Sequence, residues 1–293
     1  MKKLIVCGKG NAAYFSLKYA SEILSSKFQI IYVYRENELD ILPDFGRNTV
    51  QLAGELDIES VAVKNSNDLL NVALAIDPSF IILAQFSIIV KEDLLMKYYD
   101  RVVNLHYGKL PEYRGVAPIT HALLNKEKVC GVTLHYVDSG IDTGDIIKQN
   151  IFNVTSLTNE EAYKACEIEG SNLLIWFYNT LISRKKIQRY KQNDQKYRYY
   201  DKSSIDYSKT VIDLFSSSED LIAFYYAFTF PSKNLYPKLL IDGKVFIITS
   251  VPKVLPDSPD FRDYSMGEII SFDSISATFK CRDAVMLVKL KES

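Results

Sequence analysis

The chain has 293 residues, 47% hydrophobic and 24% charged, and its 35 Lys and Arg against 36 Asp and Glu leave a formal charge of −1. That composition excludes a disordered chain and a small disulfide scaffold, and it fits one large or two modest domains with proper cores. It also argues against a molecule whose whole surface grips nucleic acid, because duplex binding carries a strong basic excess.

The N-terminus offers only four apolar residues, 4–7, before Gly8. A signal peptide needs an apolar run of roughly 7–15 and a spanning helix about 20, so neither export nor a membrane segment is expected. Cys7, Cys130, Cys166 and Cys281 lie far apart and form no C-x-x-C pair. They read as reduced, buried thiols of a cytoplasmic protein.

Residues 4–7 predict a first strand, and 11–24 a helix with Ala13, Leu17, Ala20 and Leu24 on one stripe. Strands follow at 28–34, 60–63 and 80–84, with helices at 68–76, ended by Pro78, and at 91–98. The run 80–84 is continuously apolar, as in a strand covered on both faces, and Val102-Val103 begins another. Strands alternating with helices predict an α/β fold with a doubly wound, mainly parallel sheet, which binds ligands at the carboxyl ends of its strands. Thr158-Asn159-Glu160-Glu161 is a capping box that opens a long helix to about residue 183. Residues 184–202 then hold eight Lys or Arg against two Asp and read as a connector, with Tyr190, Tyr197, Tyr199 and Tyr200 interleaved. A solvated charged face or a stacking surface for a base would each suit that stretch. A helix near 218–229 and strands at 238–241, 244–249, 267–271, 275–280 and 283–290 predict a smaller β-rich, barrel-like domain, with a hairpin at Asp242-Gly243.

Two places carry chemistry. Gly8-Lys9-Gly10-Asn11-Ala12-Ala13 joins the first strand to the first helix, which suits either a phosphate-binding turn or a plain turn that needs glycine. The second strand ends Tyr34-Arg35-Glu36, so an NAD-dependent oxidoreductase stays open as an alternative. The richer place is 103–148. Asn104 and His106 sit two apart at the end of a strand, so their side chains leave the same face. Asp142 lies beyond them, framed by Gly140 and Gly144, as a carboxylate on an unusual backbone would be. Amide, imidazole and carboxylate together suit acyl transfer to an amine. Asn104 can donate to the oxyanion, and His106 can move the proton or donate to that oxygen. Asp142 can orient the imidazole, stabilise its protonated form or take the amine proton through water. No Ser or Cys stands in a nucleophile elbow. His121 and His135 read as structural, and the three histidines match no metal-ligand spacing, so no metal is expected.

The runs Asn104-Leu105-His106, Leu110-Pro111-Glu112-Tyr113-Arg114-Gly115, Ala117-Pro118, Gly131-Val132-Thr133 and Ile141-Asp142-Thr143-Gly144 resemble the formyltransferases that use 10-formyltetrahydrofolate. The C-terminal part is more loosely similar to the small barrel of methionyl-tRNA and sugar formyltransferases. The resemblance implies a formyltransferase-type catalytic domain over 1–188, a connector over 189–206 and a β-rich domain over 207–293. It implies Asn104, His106 and Asp142 as catalytic residues. It also implies a folate pterin between Ile88-Ile89-Val90 and Asp138-Ser139-Gly140-Ile141-Asp142, read mainly by backbone groups.

There are departures from the pattern. Gly108-Lys109-Leu110-Pro111 replaces the usual Ser-Leu-Leu-Pro, and Gly8-Lys9-Gly10-Asn11 replaces the opening Gly-Thr-Pro stretch of the tRNA enzyme. These point to the sugar branch. The acceptor is then the primary amine of a nucleotide-linked aminodeoxy sugar, of dTDP or UDP type, rather than nucleic acid. Lys9, Gly10, Asn11, Lys109, Tyr113 and Arg114 are the expected contacts to it. Methionyl-tRNA formyltransferase is the alternative within the class, and a β-rich terminal domain is compatible with a homodimer.

Overall fold

The computed structural model describes residues 1–37 and 47–292. The chain divides into two compact units. The first comprises Met1–Pro118, Cys130–Phe152 and Lys164–Asp201, and the second Ile119–Val129, Asn153–Tyr163 and Lys202–Ser293.

The first unit alternates strand and helix as its hydrophobic periodicity predicts. β1 (Lys2–Gly8), α1 (Gly10–Leu24), β2 (Phe28–Arg35), α2 (Thr49–Glu55), β3 (Glu59–Val63) and α3 (Ser66–Ile76) come first. β4 (Phe80–Ala84), α4 (Glu92–Tyr98) and β5 (Val102–His106) follow, with the short β6 at Arg114–Gly115. After α5 (Pro118–Leu124), which lies almost wholly in the second unit, come β7 (Val129–Tyr136), β8 (Ile146–Asn153), α6 (Asn159–Ile182), whose first turns also lie in the second unit, and the short β9 (Tyr199–Tyr200). Seven strands form one sheet in the order β3-β2-β1-β4-β5-β7-β8. The first five are parallel, and β7 joins antiparallel to β5.

Both faces of this sheet are covered, which is why the inner strands read as unbroken apolar runs. Ile5, Cys7, Ile31, Val33, Ile81 and Leu83 pack on one side with Leu69 and Ala73 of α3 and Leu94, Leu95 and Tyr98 of α4. On the other side α1 buries the expected stripe, Ala13, Leu17, Ala20 and Leu24, each fully enclosed. α6 lies there too: Ser16 and Tyr178 share a buried hydrogen bond of 2.7 Å, and Phe177 meets Phe80 edge-on. The capping box forms as the sequence indicates, with Thr158 N–H donating to Glu161 Oε2 at 2.8 Å. α3 is closed by Asp77 in the left-handed region just before Pro78.

The turn after β1 shows why glycine stands there. A Cβ on Gly8 would lie 1.9 Å from the carbonyl oxygen of Ala84, where β1 and β4 are paired, and Gly10 has φ +60°. The first requirement is a close strand approach, met whatever ligand the turn serves.

In the second unit, α7 (Ser218–Phe228) is followed by β10 (Lys238–Ile241), β11 (Lys244–Ile248), β12 (Lys253–Val254), β13 (Ile269–Phe272), β14 (Ser276–Lys280) and β15 (Val285–Glu292). They make an antiparallel sheet in the order β10-β11-β15-β14-β13, with β12 on β15. Asp242 and Gly243 both have positive φ, 49° and 76°, the geometry of a two-residue hairpin turn whose twist matches its strands. Leu221 and Tyr225 of α7 pack on Leu239, Phe246, Ile248, Phe279, Met286 and Val288. α5 and the start of α6 belong to this unit: Asn159 donates to Thr120 Oγ1 and the Ala227 carbonyl, and His121 bonds Ser204. None of the four cysteines forms a disulfide, and all four are buried. No helix among the described residues is long and apolar enough to cross a membrane.

The two kinds of glycine give a paired test. Gly8→Ala forces a methyl against backbone and is expected to lower stability by about 2 kcal/mol or more. Gly54→Ala, in α2 with open space around its would-be Cβ, is expected to raise it by about 0.5–1 kcal/mol through helix propensity. Thermal denaturation of the two variants reads both signs.

Candidate functional site

The site grows from the end of β5. Asn104 and His106 leave the same face there, and the loop after β7 brings Asp142 to them. Asp142 Oδ2 accepts the Gly115 N–H at 2.9 Å and lies 3.4 Å from His106 Nδ1. Its Oδ1 accepts from Asn104 Nδ2 at 3.3 Å and lies 3.4 Å from His135 Nε2. The expected unusual backbone is found at Asp142 itself, φ +54°. Gly144 is needed for a different reason: a Cβ there would lie 1.9 Å from the Tyr136 carbonyl oxygen, which the returning loop crosses.

The His106 tautomer follows from its neighbours. Nε2 is 2.7 Å from the Tyr113 carbonyl oxygen, which only accepts, so Nε2 carries a proton and Nδ1 faces the carboxylate. Gly108 makes that bond possible, since a Cβ at 108 would lie 2.4 Å from Nε2 and 2.7 Å from the Tyr113 oxygen. The departure from serine at this position therefore has a local steric cause. Thr133 ties the loop down by donating to the Gly108 carbonyl at 2.7 Å, and Gln149 donates to both Thr133 Oγ1 and the Leu110 carbonyl.

Asp142 is 12% exposed and His106 8%. Burial alone pushes the carboxyl's pKa up. The charge of His106, the His135 hydrogen bond and charge, and the Gly115 N–H outweigh that and hold it well below the usual carboxylate range. Asp142 is thus an anion at any physiological pH, in a place where an uncompensated charge would be costly.

His135, read from the sequence as a strand residue with a structural task, reaches the site. Its Nδ1 donates to the Tyr136 carbonyl at 2.8 Å, which leaves Nε2 directed at Asn104 and Asp142. Its register opposite Asn104 across the β5–β7 pair puts it there. Gln192, which no motif marked, binds the backbone of the Asp142 loop.

The segments expected around a pterin are only partly buried. Ile88 and Val90 pack on the same core cluster as Val137, while Ile89 is 70% and Ile141 40% exposed. Among the described residues, no hydrogen bond engages the backbone of Ile88, Ile89 or Val90, so those N–H and C=O groups are open to a ring edge. In the other loop, Asp138 Oδ1 accepts from Gly140 N–H and Thr143 Oγ1, and Ser139 and Gly140 are exposed.

The expected sugar-nucleotide contacts fall into two groups. Lys9 is exposed at the start of α1 beside Gly10. Asn11 is engaged on both sides, donating to Glu167 and accepting from Arg47 N–H. Lys109 pairs with Glu112 at 3.2 Å. Tyr113 is buried and stacks on Tyr200. Arg114 is 5% exposed, and its guanidinium is taken by Gln192 and Asp194. Residues 190–201 run along the first unit, with Tyr190 bridged to Ile146 and β9 paired to β6. Among the described residues, no group of three or more His, Cys, Asp or Glu could hold a metal ion.

With the fold and this cluster in view, comparison with known proteins places the chain. The formyl transferase family model matches residues 48–176. Over its whole length the chain is similar to the N-formyltransferase of Helicobacter canadensis, solved in complex with folinic acid and dTDP-3-aminofucose. The TM-score is 0.78 at 25% identity, covering 99% of this chain and 100% of that one. WlaRD, a sugar 3N-formyltransferase, shares the fold at TM-score 0.76 and 22% identity, covering 99% and 98% of the two chains. The methionyl-tRNA formyltransferase of Finegoldia magna is 24% identical over 290 residues, 98% of this chain and 90% of that protein. The fold class expected from the sequence is the one found, and the resemblance to formyltransferases stands.

Because Asp142 titrates lower folded than unfolded, its contribution to stability is present above the unfolded value of about 3.9 and is lost as pH falls from there towards the folded value. The stability difference between the protein and its Asp142→Asn variant is expected to shrink by about 2 kcal/mol as pH falls below 4. Denaturant unfolding across that range measures it.

Proposed function

We propose that the protein moves a formyl group from 10-formyltetrahydrofolate to the primary amine of a nucleotide-linked aminodeoxy sugar. The observation that carries the reading is the meeting of Asn104, His106 and an ionised Asp142 at the carboxyl end of β5, in a chain alike end to end to a protein solved with a folate and a dTDP-amino sugar. The amine nitrogen forms a bond to the formyl carbon, and the bond from that carbon to folate N10 breaks. The chain's own groups supply the rest. Asn104 has an amide donor for the oxygen that becomes negative, worth far more in a preformed site than in water. His106 receives or relays the proton the amine gives up, and the Asp142 carboxylate stabilises the imidazolium so formed. That proton leaves with N10. Ile88, Ile89 and Val90, with Asp138, Ser139, Gly140 and Ile141, hold the folate ring by apolar contact and open backbone groups.

For the acceptor, exposed Lys9 at the start of the 15-residue α1 supports a diphosphate near the Gly10 and Asn11 amides. Lys109, which pairs with Glu112, is a second candidate cation, whereas buried Tyr113 and Arg114 support the reading by shaping the loop. The near-neutral charge and the dTDP-sugar enzyme among the whole-length neighbours favour a sugar over tRNA. The Finegoldia magna relative keeps tRNA as the second reading. The product, a formamido sugar nucleotide, suits polysaccharide biosynthesis in the cytoplasm, and we place a homodimer with that role.

His106→Ala and Asp142→Asn are each expected to remove most turnover while leaving the fold intact, and Asn104→Ala to cost on the order of hundreds-fold. A panel of dTDP- and UDP-linked amino sugars with the folate donor, read by mass spectrometry, should yield a product heavier by one carbon and one oxygen. Formylation of charged initiator tRNA with no sugar product would transfer the assignment to the second reading.

A further inference from the structure

The Gln192 side chain divides its hydrogen bonds between the Asp142 loop and Arg114. Its Nε2 donates to the Asp142 carbonyl and to the Gly144 carbonyl, each at 2.8 Å. Its Oε1 accepts from Arg114 Nε at 3.0 Å and Nη2 at 2.8 Å. The amide orientation is fixed by chemistry, because only NH2 can serve two carbonyls and only the oxygen can serve a guanidinium. Its own backbone is held on both sides, by the Tyr190–Ile146 bridge and by the pairing of Tyr199 with Arg114. Arg114 in turn precedes Gly115, whose N–H binds the Asp142 carboxylate. Gln192 thus clamps the two sides of the carboxylate site: the left-handed Asp142 backbone on one, the strand that supplies its N–H donor on the other.

We propose that Gln192 is a positioning residue, acting through Asp142 to hold the carboxylate against His106. This rests on the reading of Asp142 as the catalytic carboxylate, and two of its three tests do not need turnover. Gln192→Met keeps the length and loses every hydrogen bond. Gln192→Glu keeps the contact to Arg114 and loses the donors to both carbonyls. The chain has three histidines, so imidazole NMR resolves the effect: His106 and His135 flank Asp142, while His121 bonds Ser204 in the second unit and serves as the reference.

In both variants the His106 and His135 signals are expected to shift while the His121 signal stays. Turnover is expected to fall about tenfold to a hundredfold with KM for the amine changed less than threefold, since a misplaced catalytic group costs rate rather than binding. In the unaltered protein the Gln192 side-chain amide protons are expected to exchange at least tenfold more slowly than those of an exposed glutamine. Exchange at the exposed rate overturns the proposal however the variants fold. So do unmoved His106 and His135 signals in a folded variant, or turnover within twofold of the unaltered protein. If the unaltered protein formylates no acceptor, the functional reading fails, and the imidazole and exchange measurements still decide the role of Gln192.

Discussion

A single buried negative charge organises this site. Asp142 is almost closed off from water, yet its carboxyl stays ionised, which a buried group does only when partners replace the lost hydration. The Gly115 N–H, the Asn104 amide and two imidazoles do so here. Each has its own structural requirement. The Gly115 amide needs the β6–β9 pairing, Asn104 and His106 need the end of β5, and His135 needs the antiparallel register of β7. The carboxylate is therefore the reason several distant segments must converge.

Much of this was legible in the sequence because it rests on short-range spacing. The apolar run 80–84 announced a doubly covered strand. The two-residue step from Asn104 to His106 fixed a common face, and the glycines around Asp142 signalled a backbone outside the ordinary regions. What escaped was cross-strand or long-range. His135 looks like any alternating strand residue until its register against Asn104 is known. A shift of one residue would have turned it away from the site. Gln192 lies 50 residues beyond Asp142 in a stretch dominated by charge, and a lone amide has no spacing that marks it.

The cations of the basic stretch after α6 are all exposed, as a solvated face requires, and Arg189 in addition pairs with Asp100 at 2.7 Å and lies over the Tyr136 ring. Tyr200 stacks on Tyr113, and Tyr197 lies under the Arg114 guanidinium. Arg114, attractive as a phosphate ligand by residue type, spends its donors inside the protein. Lys9, which is exposed, sits beside the glycine turn that strand packing already demands.

The route of the chain has a consequence for how this molecule can be dissected. The second unit takes in residues 119–129 and 153–163 long before its sheet is reached. Thr120, His121 and Asn159 find their partners at Tyr207, Ser204 and Ala227, so cutting the polypeptide near residue 201 would strand those three polar groups on the longer fragment. A graft of the C-terminal sheet onto another scaffold would likewise arrive without the helix α5 and the capped start of α6. Chimeras meant to exchange this unit must carry three pieces of chain, not one.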